Sequence, residues 1–182
     1  KNLVKPYKII KKTVVDEAGK EQTLNVGVIG FVPPQIMQWD KANLEGKVVT
    51  KDIVASAKKW IPEMEADGAD IIVTLAHTGF VNNPEDSENA VLGLSKVPGV
   101  DAILYGHSHL AFPTGNAADS ISGVTDSVKG TINGVAAVQA KVDGSHLGII
   151  DLTLAKDKDG NWVVENSQSE VRSVADVKPN PD

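Results

Sequence analysis

Hydrophobic and polar positions change period several times along this chain, and each change marks an element. Tyr7, Ile9 and the run Thr13-Val14-Val15 suit a strand from Pro6 to Val15. The polar stretch Asp16-Glu17-Ala18-Gly19-Lys20 is a turn, and a second strand follows from Thr23 to Phe31. The two predict a hairpin whose second strand enters the core through Val26, Val28 and Ile29. Pro33 and Pro34 end it and open a loop of about fifteen residues, a length that is either functional or an exposed excursion with Trp39 tucked beneath it.

The period then becomes helical. Ile53, Ala57, Trp60, Ile61 and Met64 recur on one face, as the core side of an amphipathic helix requires. Thr50 suits a helix cap, Asp52 suits the positive helix start and Gly68 suits the C-terminal cap. Pro62 conflicts with the pattern and predicts a kink or a shifted boundary. Two short, nearly continuous apolar runs follow, Ile71 to Ala76 and Val100 to Tyr105, the signature of strands buried on both faces. The segment between them, with a helix expected around Glu88 to Ser95, is long enough for the crossover that joins parallel neighbours. Residues 114–130 lack periodicity and read as a loop. Strands return over Thr131 to Val142, His146 to Ala155 and Trp162 to Val174, the last two joined by the turn Asp157-Lys158-Asp159-Gly160-Asn161. A hairpin, two strand–helix units and an antiparallel meander together predict a layered α/β sandwich with mixed sheets.

The chemistry lies at the ends of the two apolar runs. The first ends in His77-Thr78-Gly79 and the second in Gly106-His107-Ser108-His109. Ligands of open α/β sheets gather at the carboxyl ends of parallel strands, so His77, His107 and His109 should meet at one sheet edge. Imidazole is the commonest protein ligand for divalent transition metals. Taken alone, His107-Ser108-His109 reads equally as ordinary loop residues, and the likeness of Gly106 to Leu110 to a serine-hydrolase elbow fails at Leu110, where glycine is needed. His146 opens a strand and reads as structural; Asp70 and Asp101 read as a strand-start and a surface or turn carboxylate, poor ligand candidates.

Composition narrows the classes. Hydrophobic residues make up 41% and charged residues 23%, near the globular norm, which excludes wholesale disorder. The net charge of −6 comes with no basic stripe and interleaved aromatics, which argues against a nucleic acid polymer as partner. No cysteine is present, so disulfides, thiolate ligands and a cysteine nucleophile are excluded together. No apolar run reaches membrane-spanning length.

His77-Thr78-Gly79 and Gly106-His107-Ser108-His109 together resemble the calcineurin-like metallophosphoesterases, in the branch of 5′-nucleotidases and 2′,3′-cyclic-nucleotide 2′-phosphodiesterase/3′-nucleotidases. The run Ile29 to Leu44, the triplet Asn133-Gly134-Val135 and the segment Gly144-Ser145-His146-Leu147-Gly148 are similar to the cyclic phosphodiesterase type. The resemblance implies a partial four-layer α/β sandwich and hydrolysis of 2′,3′-cyclic nucleotides and 3′-nucleotides by metal-activated water. It implies two divalent ions, manganese or zinc, with His77 and His107 on one and His109 on the other. It also implies an extracytoplasmic location. The family's Asp-x-His, bridging Gly-Asp and Asn-His motifs do not occur here. Residues 1–176 therefore read as the C-terminal half of a catalytic domain, with 177–182 a linker, no catalytic residue in this segment, and at most a partial metal site and little activity on its own. An inactive α/β binding module and a 5′-nucleotidase-type segment are the alternatives. Incomplete sheets would leave open edges, through which self-association is expected.

Overall fold

A computed structural model describes residues 4–176, so the expected linker over 177–182 lies outside the described residues. The chain runs β1 (Tyr7–Val15), β2 (Glu21–Phe31), α1 (Ile36–Trp39), α2 (Lys41–Leu44), α3 (Ile53–Ala66), β3 (Ile71–Ala76), α4 (Val91–Leu94) and β4 (Ala102–Tyr105). It continues with β5 (Ala111–Phe112), β6 (Thr125–Asp126), β7 (Thr131–Ile132), β8 (Val135–Ala140), β9 (His146–Lys156) and β10 (Trp162–Ser173). Among the described residues no helix is long and apolar enough to cross a membrane.

β1 and β2 form the expected antiparallel hairpin, from Val15 opposite Glu21 to Tyr7 opposite Ile29. β2, β3, β4 and β8 are parallel neighbours, and β8, β7 and β6 extend the sheet antiparallel, giving a mixed sheet in the order β1-β2-β3-β4-β8-β7-β6. β5 also pairs with β8, and β9 and β10 form a separate two-stranded ribbon. The fold class is the expected one, α/β with mixed sheets.

Helix α3 covers one face. Asp52, rather than Thr50, caps it: the Asp52 side chain accepts the Ala55 N–H at 2.8 Å. Pro62 sits inside the helix, which continues to Ala66. At its end Gly68 adopts φ 89°, the Gly68 N–H donates to Glu65 O and the Ala69 N–H donates to Met64 O, both at 2.9 Å. That double bond pattern is what a left-handed glycine just past the cap makes available. Ile53, Ala57, Ile61 and Met64 are fully buried and share one cluster with Ile29, Ile72, Ile103 and Leu94. Gly27 permits this approach, because a Cβ there would lie 2.7 Å from the Met64 side chain.

The opposite face is covered only in part. Gly148 of β9 seats against β8, where a Cβ would meet Val138 at 2.8 Å. The Trp162 indole N–H donates to Thr23 O at 3.1 Å, fastening β10 to β2. Leu75 and Leu104 point to this face and remain 48% and 38% exposed, so β3 and β4 are not buried on both faces as their apolar runs predict.

Several boundaries also differ from expectation. The loop after Pro34 contains the one-turn helices α1 and α2. The helix expected from Glu88 is only α4. The loop over 114–130 holds a 3₁₀ turn at Ala117–Asp119 and the short β6. The strand expected from Thr131 to Val142 is two strands, β7 and β8, because Asn133 and Gly134 take φ values of 50° and 81° and reverse the chain.

Candidate metal centre

Register places the two histidine motifs side by side. Ala76, the last residue of β3, lies opposite Tyr105, the last residue of β4. His77 and His107 each follow within two residues. The His77 N–H still donates to Phe31 O at 2.9 Å, extending the ladder by one residue beyond β3. Each histidine is then the middle residue of a three-residue turn, closed by Thr78 N–H to Ala76 O at 3.0 Å and by Ser108 N–H to Gly106 O at 2.9 Å. His107 pays for its turn with φ 73°, and His109 has φ 59°. Non-glycine residues in this left-handed region are strained, and such strain concentrates at functional sites.

The outcome is a pair. The imidazole centroids of His77 and His107 are 5.4 Å apart, at 60° to one another. His77 is exposed and His107 half-buried. His109 is exposed. No group of three or more His, Cys, Asp or Glu side chains poised to hold a metal ion occurs among the described residues, so His109 does not complete a triad with the pair. His146 lies in β9, with Nδ1 2.9 Å from Ser145 Oγ.

Two residues that sequence reasoning passed over hold the His107 ring. The indole of Trp39 stacks on it, centroids 5.0 Å apart and planes within 20°. Trp39 is therefore not tucked under its loop; it is exposed and lies over the candidate site. The Glu88 carboxylate meets the edge of the imidazole, with Oε1 3.0 Å from His107 Nε2. A buried threonine delivers Glu88: Thr78 Oγ1 donates to Glu88 O and accepts the Ala90 N–H at 2.8 Å. Asp86 Oδ1 accepts the Glu88 N–H at 3.0 Å and the Asn89 N–H at 2.6 Å. Gly79 makes room, since a Cβ there would lie 2.4 Å from Asn89 Oδ1 and 3.3 Å from Ser108 Cβ. Ser108 is anchored in turn by buried Gln139 of β8, whose Nε2 donates to Ser108 Oγ at 3.0 Å. The acidic stretch Glu85-Asp86-Ser87-Glu88, set between two histidine-bearing strands, was the sequence signal for Glu88; Trp39 carried none beyond its place in a long loop.

An open groove of about 530 Å³ adjoins His77 and is lined by Gly30, Val32, Leu75, Leu104, Tyr105 and Gly106 among others. Burial pushes the Tyr105 phenol above its ordinary range, so it stays protonated at the groove wall.

The model of the family described as calcineurin-like phosphoesterase matches residues 3–111, which include both histidine motifs. The chain belongs to the calcineurin-like phosphoesterase family. It is 51% identical, over 97% of its length, to a 2′,3′-cyclic-nucleotide 2′-phosphodiesterase/3′-nucleotidase of Salmonella typhimurium, and spans 27% of that relative. It is 49% identical over 96% of its length to the trifunctional nucleotide phosphoesterase protein YfkN of Bacillus subtilis, spanning 12% of it. The crystal structure of the calcineurin-like phosphoesterase YfkN from Bacillus subtilis superposes with a TM-score of 0.91 at 48% identity, covering 96% of this chain and 52% of that one. The chain thus spans about a quarter or less of the curated relatives' own length.

Family membership implies divalent metals. The residues fit as part of such a site: two imidazoles face one another at a sheet edge, and the one with a buried flank has its second nitrogen on a carboxylate, the usual outer partner of a metal-binding histidine.

Proposed function

We propose that this segment is the C-terminal half of the catalytic domain of a phosphoesterase acting on 2′,3′-cyclic nucleotides and 3′-nucleotides. The observation that carries the reading is the His77–His107 pair, 5.4 Å apart at the carboxyl edge of adjacent parallel strands. Relatives at 46–51% identity bear the name of that activity. In this reading residues 1–176 complete a four-layer sandwich with the remainder of the protein, and 177–182 lead onward. His77 and His107 hold one manganese or zinc ion, and His109 faces a second.

Divalent ions, when bound, neutralise phosphate charge and acidify a water molecule. His77 and His107 bind through neutral imidazoles. Trp39 and Glu88 keep the His107 ring in one plane. The groove beside His77 has the size range of small-molecule sites and would receive the nucleotide. The acid for the leaving oxygen and the bridging carboxylate are assigned to the rest of the protein, which is taken to work outside the cytoplasm.

The test is hydrolysis by the natural protein in its full length. It should cleave 2′,3′-cyclic nucleotides and 3′-nucleotides only with added divalent metal. His77→Ala and His107→Ala should each lower kcat/KM by at least ~100-fold, beyond the loss usual for outer partners of a metal ligand. Full activity in both variants, or preference for 5′-monophosphates, would contradict the reading.

A further inference from the structure

We propose that Glu88 is the positioning residue for His107: its carboxylate holds the imidazole as the Nε2–H tautomer and leaves Nδ1 as the nitrogen that takes a divalent cation. The inference rests on the reading of His107 as a ligand, and it adds which atom binds and what selects it. Glu88 Oε1 lies 3.0 Å from His107 Nε2, within hydrogen-bonding range. An ionised carboxylate can only accept, so a neutral imidazole beside it must place its proton on the facing nitrogen. The other ring nitrogen then carries a lone pair and no proton, which is what metal ligation requires.

The surroundings make the contact a built one. Glu88 does not reach in from a free loop. Its carbonyl is fixed by the buried Thr78 hydroxyl and its N–H by Asp86. Thr78 follows His77 directly, so the segment that orients one histidine is pinned to the residue beside the other. Trp39 covers a face of the His107 ring at 5.0 Å and sets the plane in which the imidazole can meet Glu88. The strained φ of 73° at His107 points to the same constraint, because the backbone holds that ring in place in a conformation that non-glycine residues rarely adopt.

Glu88→Gln is the discriminating variant. Glutamine keeps the size but offers both a carbonyl and an amide NH₂, so it accepts from Nε2–H in one tautomer or donates to the bare Nε2 of the other. Two-bond proton–nitrogen correlation spectra of the metal-free protein, at about pH 8.5 where imidazoles are neutral, read the tautomer directly. His107 should show a single Nε2–H tautomer in the native protein and a mixture in Glu88→Gln. Calorimetric titration with zinc alone should give a dissociation constant about 10–100-fold weaker in Glu88→Gln, the range for losing an outer partner. An Nδ1–H tautomer in the native protein would overturn the proposal. So would an unchanged single tautomer, with unchanged zinc affinity, in Glu88→Gln. Failure of the native protein to bind zinc would overturn the ligand reading instead, and the spectra alone would then decide whether Glu88 sets the tautomer.

Discussion

Asp101 is a carboxylate whose bonding and burial act against each other. Its Oδ2 accepts the Ile72 N–H at 2.7 Å, as Asp70 Oδ2 accepts the Asn25 N–H at 2.7 Å. Each aspartate thus locks the start of its own strand to the preceding strand in the sheet, a role that the strand-start reading of Asp70 allows and the surface or turn reading of Asp101 does not foresee. Burial, with a smaller push from the Glu65 carboxylate, outweighs the hydrogen bond and raises the Asp101 pKa from 3.8 to about 6. The folded value lies above the unfolded one. The stability tied to protonated Asp101 is therefore complete below 3.8 and lost as pH rises through about 6. Asp101→Asn keeps an acceptor for Ile72 and removes the charge. Urea unfolding should find it more stable than the native protein by about 2 kcal/mol at pH 8, with the gap shrinking towards pH 4. A gap independent of pH would contradict this. At the same scale the ligand histidines were legible, because each ends an apolar run. Trp39 was not, and Glu88 only as one acid of the stretch Glu85-Asp86-Ser87-Glu88, because each reaches His107 through a tertiary contact.

Strands β3 and β4 show what an apolar run does and does not specify. Their existence, direction and pairing followed from composition and crossover length, and the observed parallel register agrees. Their burial did not follow. Ile103 is wholly buried among α3 and its neighbours, while the next residue, Leu104, faces the groove at 38% exposure. Alternation along the strand makes this a direct comparison. Ile103→Ala should cost about 2–5 kcal/mol in denaturant unfolding, and Leu104→Ala only about 1 kcal/mol. Equal losses would show that both faces are packed. The helix C-terminus was legible through Gly68, whose role is local; at the N-terminus the cap expected at Thr50 is Asp52. The β7–β8 reversal was present in the sequence as Asn133-Gly134, a strong hairpin signal, but the apolar residues on both sides concealed it within one long strand.

Across the whole molecule, the expected open edges are blunter than incomplete sheets would imply. Edge strand β1 carries Lys8, Lys11 and Lys12, and β6 at the opposite end has only two residues. Charge and shortness are the usual defences against edge pairing. Part of the exposed apolar surface is the groove wall of Val32, Leu75 and Leu104, directly beside His77. The histidine pair and an exposed apolar wall thus share one sheet end, where strands β2, β3 and β4 finish. In the proposed function His77 and His107 share one metal ion there. Anomalous diffraction at the zinc edge, from crystals of the protein grown with zinc, tests it most directly. One peak bonded to an imidazole nitrogen of both His77 and His107 at about 2.0–2.1 Å is expected. Both imidazoles free at saturating zinc, with peaks only elsewhere, would contradict it.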